Sequence, residues 1–221
     1  MKLEEALPFI DNIIGKKFNM VFDAELIQNL RTNKGNVGQL LERSIGLENS
    51  SKRLDFENGE LKTNKAHPNG KPKETMYIIQ ILSIIDDILI KKPFKETLLY
   101  QKIRNLVYVP VCKDGSEDCW FFLPYVHVNL DQDAYVKLYR QLEKDYYSIV
   151  EQLNNHIKTS RDGFIHTSNG KYIQIRSKDS KPYHPIYSNI YRKYVSNKNH
   201  AFYFKKEFML YLQSLSPDYP L

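Results

Sequence analysis

The chain has 221 residues, 42% hydrophobic, 13% aromatic and 26% charged, with a formal net charge of +6 and only two cysteines, Cys112 and Cys119. That length and apolar content exclude a disordered chain, and so few thiols exclude a disulfide framework and match no common zinc pair. The longest apolar stretch, Met76 to Ile85, is too short to span a bilayer, and Glu4, Glu5 and Asp11 interrupt any secretion signal, so a cytoplasmic protein with no membrane partner is expected.

Helical periodicity covers residues 3–15 and 22–31. In NVGQLLERSIG it sets Val37, Leu40, Leu41, Ser44 and Ile45 on one face, with Gly46 as the stop. The turn signal Asn58-Gly59 then opens a strand around Glu60 to Thr63. A polar loop leads to TMYIIQILSII, which reads as a buried strand. A short helix over 97–104 precedes NLVYVPV, where Pro110 suggests an edge strand or a strand end. KDGSED forms the tip that returns the chain into CWFFLPYVHV. The longest helix spans 133–157, with Tyr135, Leu138, Leu142, Tyr146, Ile149 and Leu153 as its core stripe. GKYIQIRSK alternates as a strand, KPYHPIYSN reads as an irregular loop, and AFYFKKEFMLYLQSL begins extended and ends helical. Helices first, then a mixed β region, then a basic β/α tail describe an α/β fold with a cleft.

The positive charge is concentrated. Between Lys158 and Lys206 eleven lysines and arginines face only Asp162 and Asp179, and six tyrosines are interleaved with them. Such a surface attracts a phosphate backbone, although a solvated lysine-rich face has the same composition. The six histidines show no metal-ligand spacing, and no glycine-rich phosphate loop occurs.

The stretch LDFENGELKTNK, Leu54 to Lys65, carries the candidate chemistry. In a strand, Glu60 and Lys62 point to one side while Leu61 enters the core, and Asp55 can reach the same side from the preceding turn. Two carboxylates and the Leu61 carbonyl suit Mg²⁺, a hard ion that also binds phosphate oxygens. Lys62 would orient or activate an attacking water, and the reaction would be phosphodiester hydrolysis. An acid, any residue and then lysine is a weak pattern, which recurs at Asp179 and Lys181 without the buried anchor. A solvated hairpin therefore stays open on these residues alone.

Six blocks in order narrow the choice: KGNVGQLLE, LDFENGELKT, KETMY, QKIRNLVYVPV, GKYIQIRSK and AFYFKKEF. Together, from about residue 34 to 210, they resemble the MutH family of mismatch-repair endonucleases and the related GATC-cutting restriction enzymes. The resemblance implies a restriction-endonuclease-like fold: one MutH-like endonuclease domain over 1–221, a mixed β-sheet core flanked by helices, and two lobes around a DNA-binding cleft. The catalytic lobe would cover roughly 1–130 and a basic, DNA-reading lobe roughly 131–221. It implies Asp55, Glu60 and Lys62 as catalytic residues, with Glu42 from the preceding helix and Lys102 beside them. Asp55, Glu60 and the Leu61 carbonyl would hold Mg²⁺.

For DNA the resemblance implies Lys34, Gln174, Arg176, Lys178, Tyr203, Lys205 and Lys206. Lys178 would read guanine, Tyr203 would stand near the target adenine, and Lys205 and Lys206 would hold phosphates. The expected activity is Mg²⁺-dependent cleavage of double-stranded DNA at GATC or a related site, sensitive to adenine methylation, by a restriction enzyme forming a transient dimer on DNA. The alternatives are a nicking enzyme activated by a mismatch-repair partner, or a DNA-binding module without activity. This chain departs from the family in three places. Only four residues separate Asp55 from Glu60, so their turn must be tight; Leu54 stands where the superfamily often has proline; and Lys181 to Asn199 has no counterpart.

Overall fold

A computed structural model describes residues 1–32, 37–47 and 53–219. In chain order the elements are α1 (Leu3–Asp11), α2 (Phe18–Val21), α3 (Ala24–Thr32), α4 (Val37–Ser44), β1 (Glu60–Ala66), β2 (Met76–Gln80), α5 (Ile85–Leu89), α6 (Leu98–Ile103), β3 (Asn105–Cys112), β4 (Phe121–Phe122), β5 (Val126–Asn129), α7 (Val136–Thr159), β6 (Ser168–Asn169), β7 (Ile173–Lys178), β8 (Ile186–Ser188), β9 (Lys193–Ser196), β10 (Asn199–Phe204) and α8 (Lys206–Gln213). The fold is mixed α/β. Two compact units interleave along the sequence: Met1–Glu74, Asn105–Asn129 and Met209–Leu221 form the first, and Thr75–Arg104 and Leu130–Phe208 the second. The chain therefore changes unit after Glu74, Arg104 and Phe208 as well as near residue 130.

The first unit is organised on β3, whose eight residues are all buried. β1 pairs with it in parallel, Glu60 opposite Leu106 and Lys62 opposite Tyr108. β4 and β5 pair antiparallel with β3, at its end and its beginning respectively. Leu61 joins Val107, Val109 and Val111 in one apolar cluster with Leu3, Ala6 and Ile10 of α1 and with Val37, Leu40 and Leu41 of α4. These helices are amphipathic, so burial of their apolar stripes against the sheet is what holds them there.

Pro110 does not mark an edge. It lies inside a strand paired on both sides, opposite Asn64 of β1. Its carbonyl accepts from the Leu123 N–H at 2.8 Å. The N–H and C=O of one strand residue face the same side, so the missing proline N–H falls in the gap between the β4 and β5 pairings, and the β1 ladder loses nothing.

The second unit contains the sheet β2-β10-β7-β6, antiparallel throughout. Ile173, Ile175, Phe202 and Phe204 are buried, and α7 packs on β6 and β7 with Leu138, Leu142, Tyr146, Ile149 and Leu153 inside. Two expectations are corrected here. TMYIIQILSII is strand only over β2, after which its last isoleucine starts α5. KPYHPIYSN contains the whole of β8, which forms a separate two-stranded hairpin with β9.

Asp145 anchors this unit's sheet. It sits on the apolar face of α7, 3% exposed, and accepts from the backbone N–H groups of Lys171 at 2.9 Å, Tyr172 at 2.6 Å and Ile173 at 3.2 Å. Gln141 adds a side-chain donor at 2.7 Å. The chain before β7 passes so close that a Cβ on Gly170 would collide with the carboxyl carbon of Asp145.

Candidate active site

The acid-bearing turn is tight because both of its apolar residues are drawn into the core. Phe56 and Leu61 are 3% and 4% exposed. The Phe56 N–H donates to the Gly59 carbonyl at 3.0 Å, closing the turn over DFENG. Asp55 is thereby folded back on the start of β1, where its Oδ2 accepts from the Leu61 N–H at 2.9 Å. Since that N–H faces away from β3, the Leu61 carbonyl faces the same outer edge as Asp55.

The turn is also held from α1. The Asn58 side chain accepts from the Leu3 N–H at 2.8 Å, beside the Glu5 carboxylate that accepts from the Lys2 N–H at 2.9 Å, and donates to Glu4 at 2.8 Å. Asn105 donates to the Asn58 carbonyl at 3.1 Å and lies 2.8 Å from Nε2 of His127, whose pKa burial pushes down. Gly59 has no room for a side chain: a Cβ there would meet Leu3 Cδ1 at 2.6 Å and the Asn105 carbonyl at 2.8 Å.

Strand alternation then sets Glu60 and Lys62 on one side. Lys62 Nζ donates to Glu60 Oε1 at 2.6 Å and stands 4.0 Å from Asp55 Oδ2. The Glu60 side chain is only 2% exposed, and those of Lys62 and Asp55 are 17% and 26% exposed. α4 lies against β1, so that a Cβ on Gly38 would touch Thr63 Oγ1 at 3.5 Å. This brings Glu42, half-buried, into the field of the others. Burial first and the Asp55 charge second push its carboxyl above the usual range, and Glu60 adds to this while Lys62 and Arg43 oppose it.

The structure thus brings Glu42, Asp55, Glu60, Leu61 and Lys62 together in the first unit. Lys102 is half-buried in the last turn of α6, in the second unit. Among the described residues, no group of three or more His, Cys, Asp or Glu stands as a ready-made metal site, and the Lys62 ammonium is the cation beside these carboxylates. The donor set nevertheless fits Mg²⁺ in kind, with carboxylate oxygens and an outward carbonyl gathered where negative charge is already crowded.

The basic sheet lies in the second unit. Gln174 of β7 is opposite Tyr203 of β10, which is opposite Tyr77 of β2, so all three share one face. The Arg176 guanidinium lies over the Tyr203 ring at 4.4 Å and Lys178 Nζ over the Tyr77 ring at 5.1 Å. The two rings meet edge to face at 5.8 Å. Arg176 is exposed and Lys178 half-buried, whereas Gln174 and Tyr203 are buried and support this face more than they present it. Lys205 donates to the Gly170 carbonyl at 3.2 Å, which ties it to the fold, while Lys206 is exposed at the start of α8. Lys34 lies outside the described residues.

Sequence reasoning passed over Tyr77 and Asp145. Alternation in MYIIQ was the signal for Tyr77, which points away from the buried Met76 and Ile78. For Asp145 the signal was an acid on an apolar helical stripe, three residues after Leu142 and four before Ile149. No protein-family model and no curated protein matches the chain.

Proposed function

We propose that this protein is a Mg²⁺-dependent, sequence-specific DNA endonuclease of the MutH-like kind, acting as a restriction enzyme at GATC or a related site and responsive to adenine methylation. The observation that carries the reading is the gathering of Glu42, Asp55, Glu60 and Lys62 on the outer edge of β1. Burial and the Asp55 charge raise the Glu42 pKa, so the ionised form of that group is held at a cost, and the lysine beside the cluster can hold a water by its ammonium protons. A bound Mg²⁺, held by Asp55, Glu60 and the Leu61 carbonyl, would neutralise charge developing on the phosphoryl oxygens. Glu42 would then face a cation, which removes the repulsion it meets from Asp55 and Glu60. Arg176 and Lys178, steadied on Tyr203 and Tyr77, supply donors suited to guanine N7 and O6.

One such cluster cuts one strand, so a double-strand break requires two chains or two visits. The test is incubation of the purified protein with methylated and unmethylated plasmid and Mg²⁺. Linear product at defined sites is expected, falling by at least about 100-fold in Lys62→Ala, with DNA binding retained. A plasmid left intact by the wild-type chain sinks the proposal, and nicks that accumulate only with a repair partner present favour the mismatch-repair alternative.

A further inference from the structure

Residues 180–199 contain four cations (Lys181, Arg192, Lys193 and Lys198), four tyrosines and no acid. The β8–β9 hairpin gives this segment two unlike faces. Its inner side is fully anchored within the second unit. Ile186 and Val195 are buried, Ser188 and Asn189 donate to the Asp86 carboxylate at 2.7 to 2.8 Å, and the Tyr191 hydroxyl donates to Asn154 at 2.6 Å. Lys193 Nζ reaches back to the Ile157 carbonyl at 3.4 Å.

None of this anchoring uses the outer side. There Tyr187 and Tyr194 stand opposite one another in register, 45% and 58% exposed, with ring centroids 5.3 Å apart and planes at 78°. Arg192 is exposed beside them with φ 53°, a left-handed conformation that glycine adopts at less cost. Lys198 and Lys181 are exposed as well. The anchored hairpin therefore presents cations and phenol groups that the described residues do not engage in hydrogen bonds or ion pairs.

We propose that the outer side of this hairpin binds the sugar-phosphate backbone of duplex DNA, with Arg192 and Lys198 neutralising phosphates and the Tyr187 and Tyr194 hydroxyls donating to them. The assignment rests on the endonuclease reading and adds a contact outside the base-reading sheet. Cations without acids select a polyanion, whereas the centre of a protein–protein interface is depleted of charge. The two rings pack edge to face against each other, which leaves no open slot for a stacked base and favours backbone over single-strand binding.

The test measures affinity for target and non-target duplexes over a range of salt concentrations, without divalent cation, for the wild-type chain, Arg192→Gly with Lys198→Gln, and Tyr187→Phe with Tyr194→Phe. Arg192→Gly also relieves the left-handed backbone, so folding is preserved, and thermal melting verifies it. The first double variant should lose about tenfold in affinity on both duplexes and shed about two from the salt slope. The second should weaken binding about threefold with melting unchanged. Normal melting with unchanged affinity and slope overturns the hairpin assignment while leaving the nuclease intact, and so does a loss confined to the target duplex. A wild-type chain that binds no duplex overturns both readings.

Discussion

The two units each bury a carboxylate, and they treat it in opposite ways. Asp145 receives three backbone N–H groups and an amide side chain, a full complement of donors at one end of β7. Glu60 is as deeply buried but shares its surroundings with Asp55 and Glu42, against the ammonium of Lys62. A buried acid surrounded by donors serves the architecture; one set among other acids beside a lysine suits the cation site proposed above.

Substitution separates the two most sharply. Asp145→Ala leaves three backbone N–H groups unmet, those of Tyr172 and Ile173 buried, and should cost about 3 kcal/mol in urea unfolding. Glu60→Gln keeps an acceptor for Lys62 and should change stability by no more than about 1 kcal/mol, yet reduce cleavage by at least about 100-fold. A Glu60→Gln protein that unfolds as readily as Asp145→Ala would erase the contrast.

Tyr108 provides a further measure on the face it shares with Glu60 and Lys62, since its hydroxyl is buried without a hydrogen-bond partner among the described residues. Tyr108→Phe removes that unmet group and should stabilise the chain by about 1 kcal/mol with cleavage unchanged. Loss of activity would enlarge the acid cluster to include it.

The smallest effect concerns pH. Because burial and Asp55 raise the Glu42 pKa, the folded chain binds more protons there than the unfolded one. The stability contributed by this group is complete at low pH and is lost as pH rises from the ordinary carboxylate range through the raised value. Glu42→Gln removes the loss, so without divalent cation the variant should melt slightly above the wild type near neutrality, and the gap should close on acidification. A gap independent of pH would show that the carboxylate is not under pressure from its neighbours.

Much of the candidate site was legible because period two is a strong signal: Glu60 and Lys62 flank the core residue Leu61, and Asn58-Gly59 announces the strand. The long α7 stripe was legible for the same kind of reason. What escaped depended on partners distant in sequence. A continuous apolar run does not say where strand ends and helix begins, so α5 was hidden behind β2. The β8–β9 hairpin turns without an Asn-Gly or Asp-Gly pair, using Arg192 in the left-handed region instead. Pro110 misled because the breaks in β3's other pairings lie in the sequences of β4 and β5. The burial of Gln174 and Tyr203 and the tether of Lys205 to Gly170 are likewise tertiary facts that alternation alone does not contain.

Asn58 caps the first turn of α1 with the same short segment that delivers Glu60, so the helix and the acid-bearing strand are fastened to each other. Loosening of the amino-terminal helix would consequently be felt at the acid cluster before the rest of the unit melts. Heat should silence the protein some degrees below the temperature at which it comes apart.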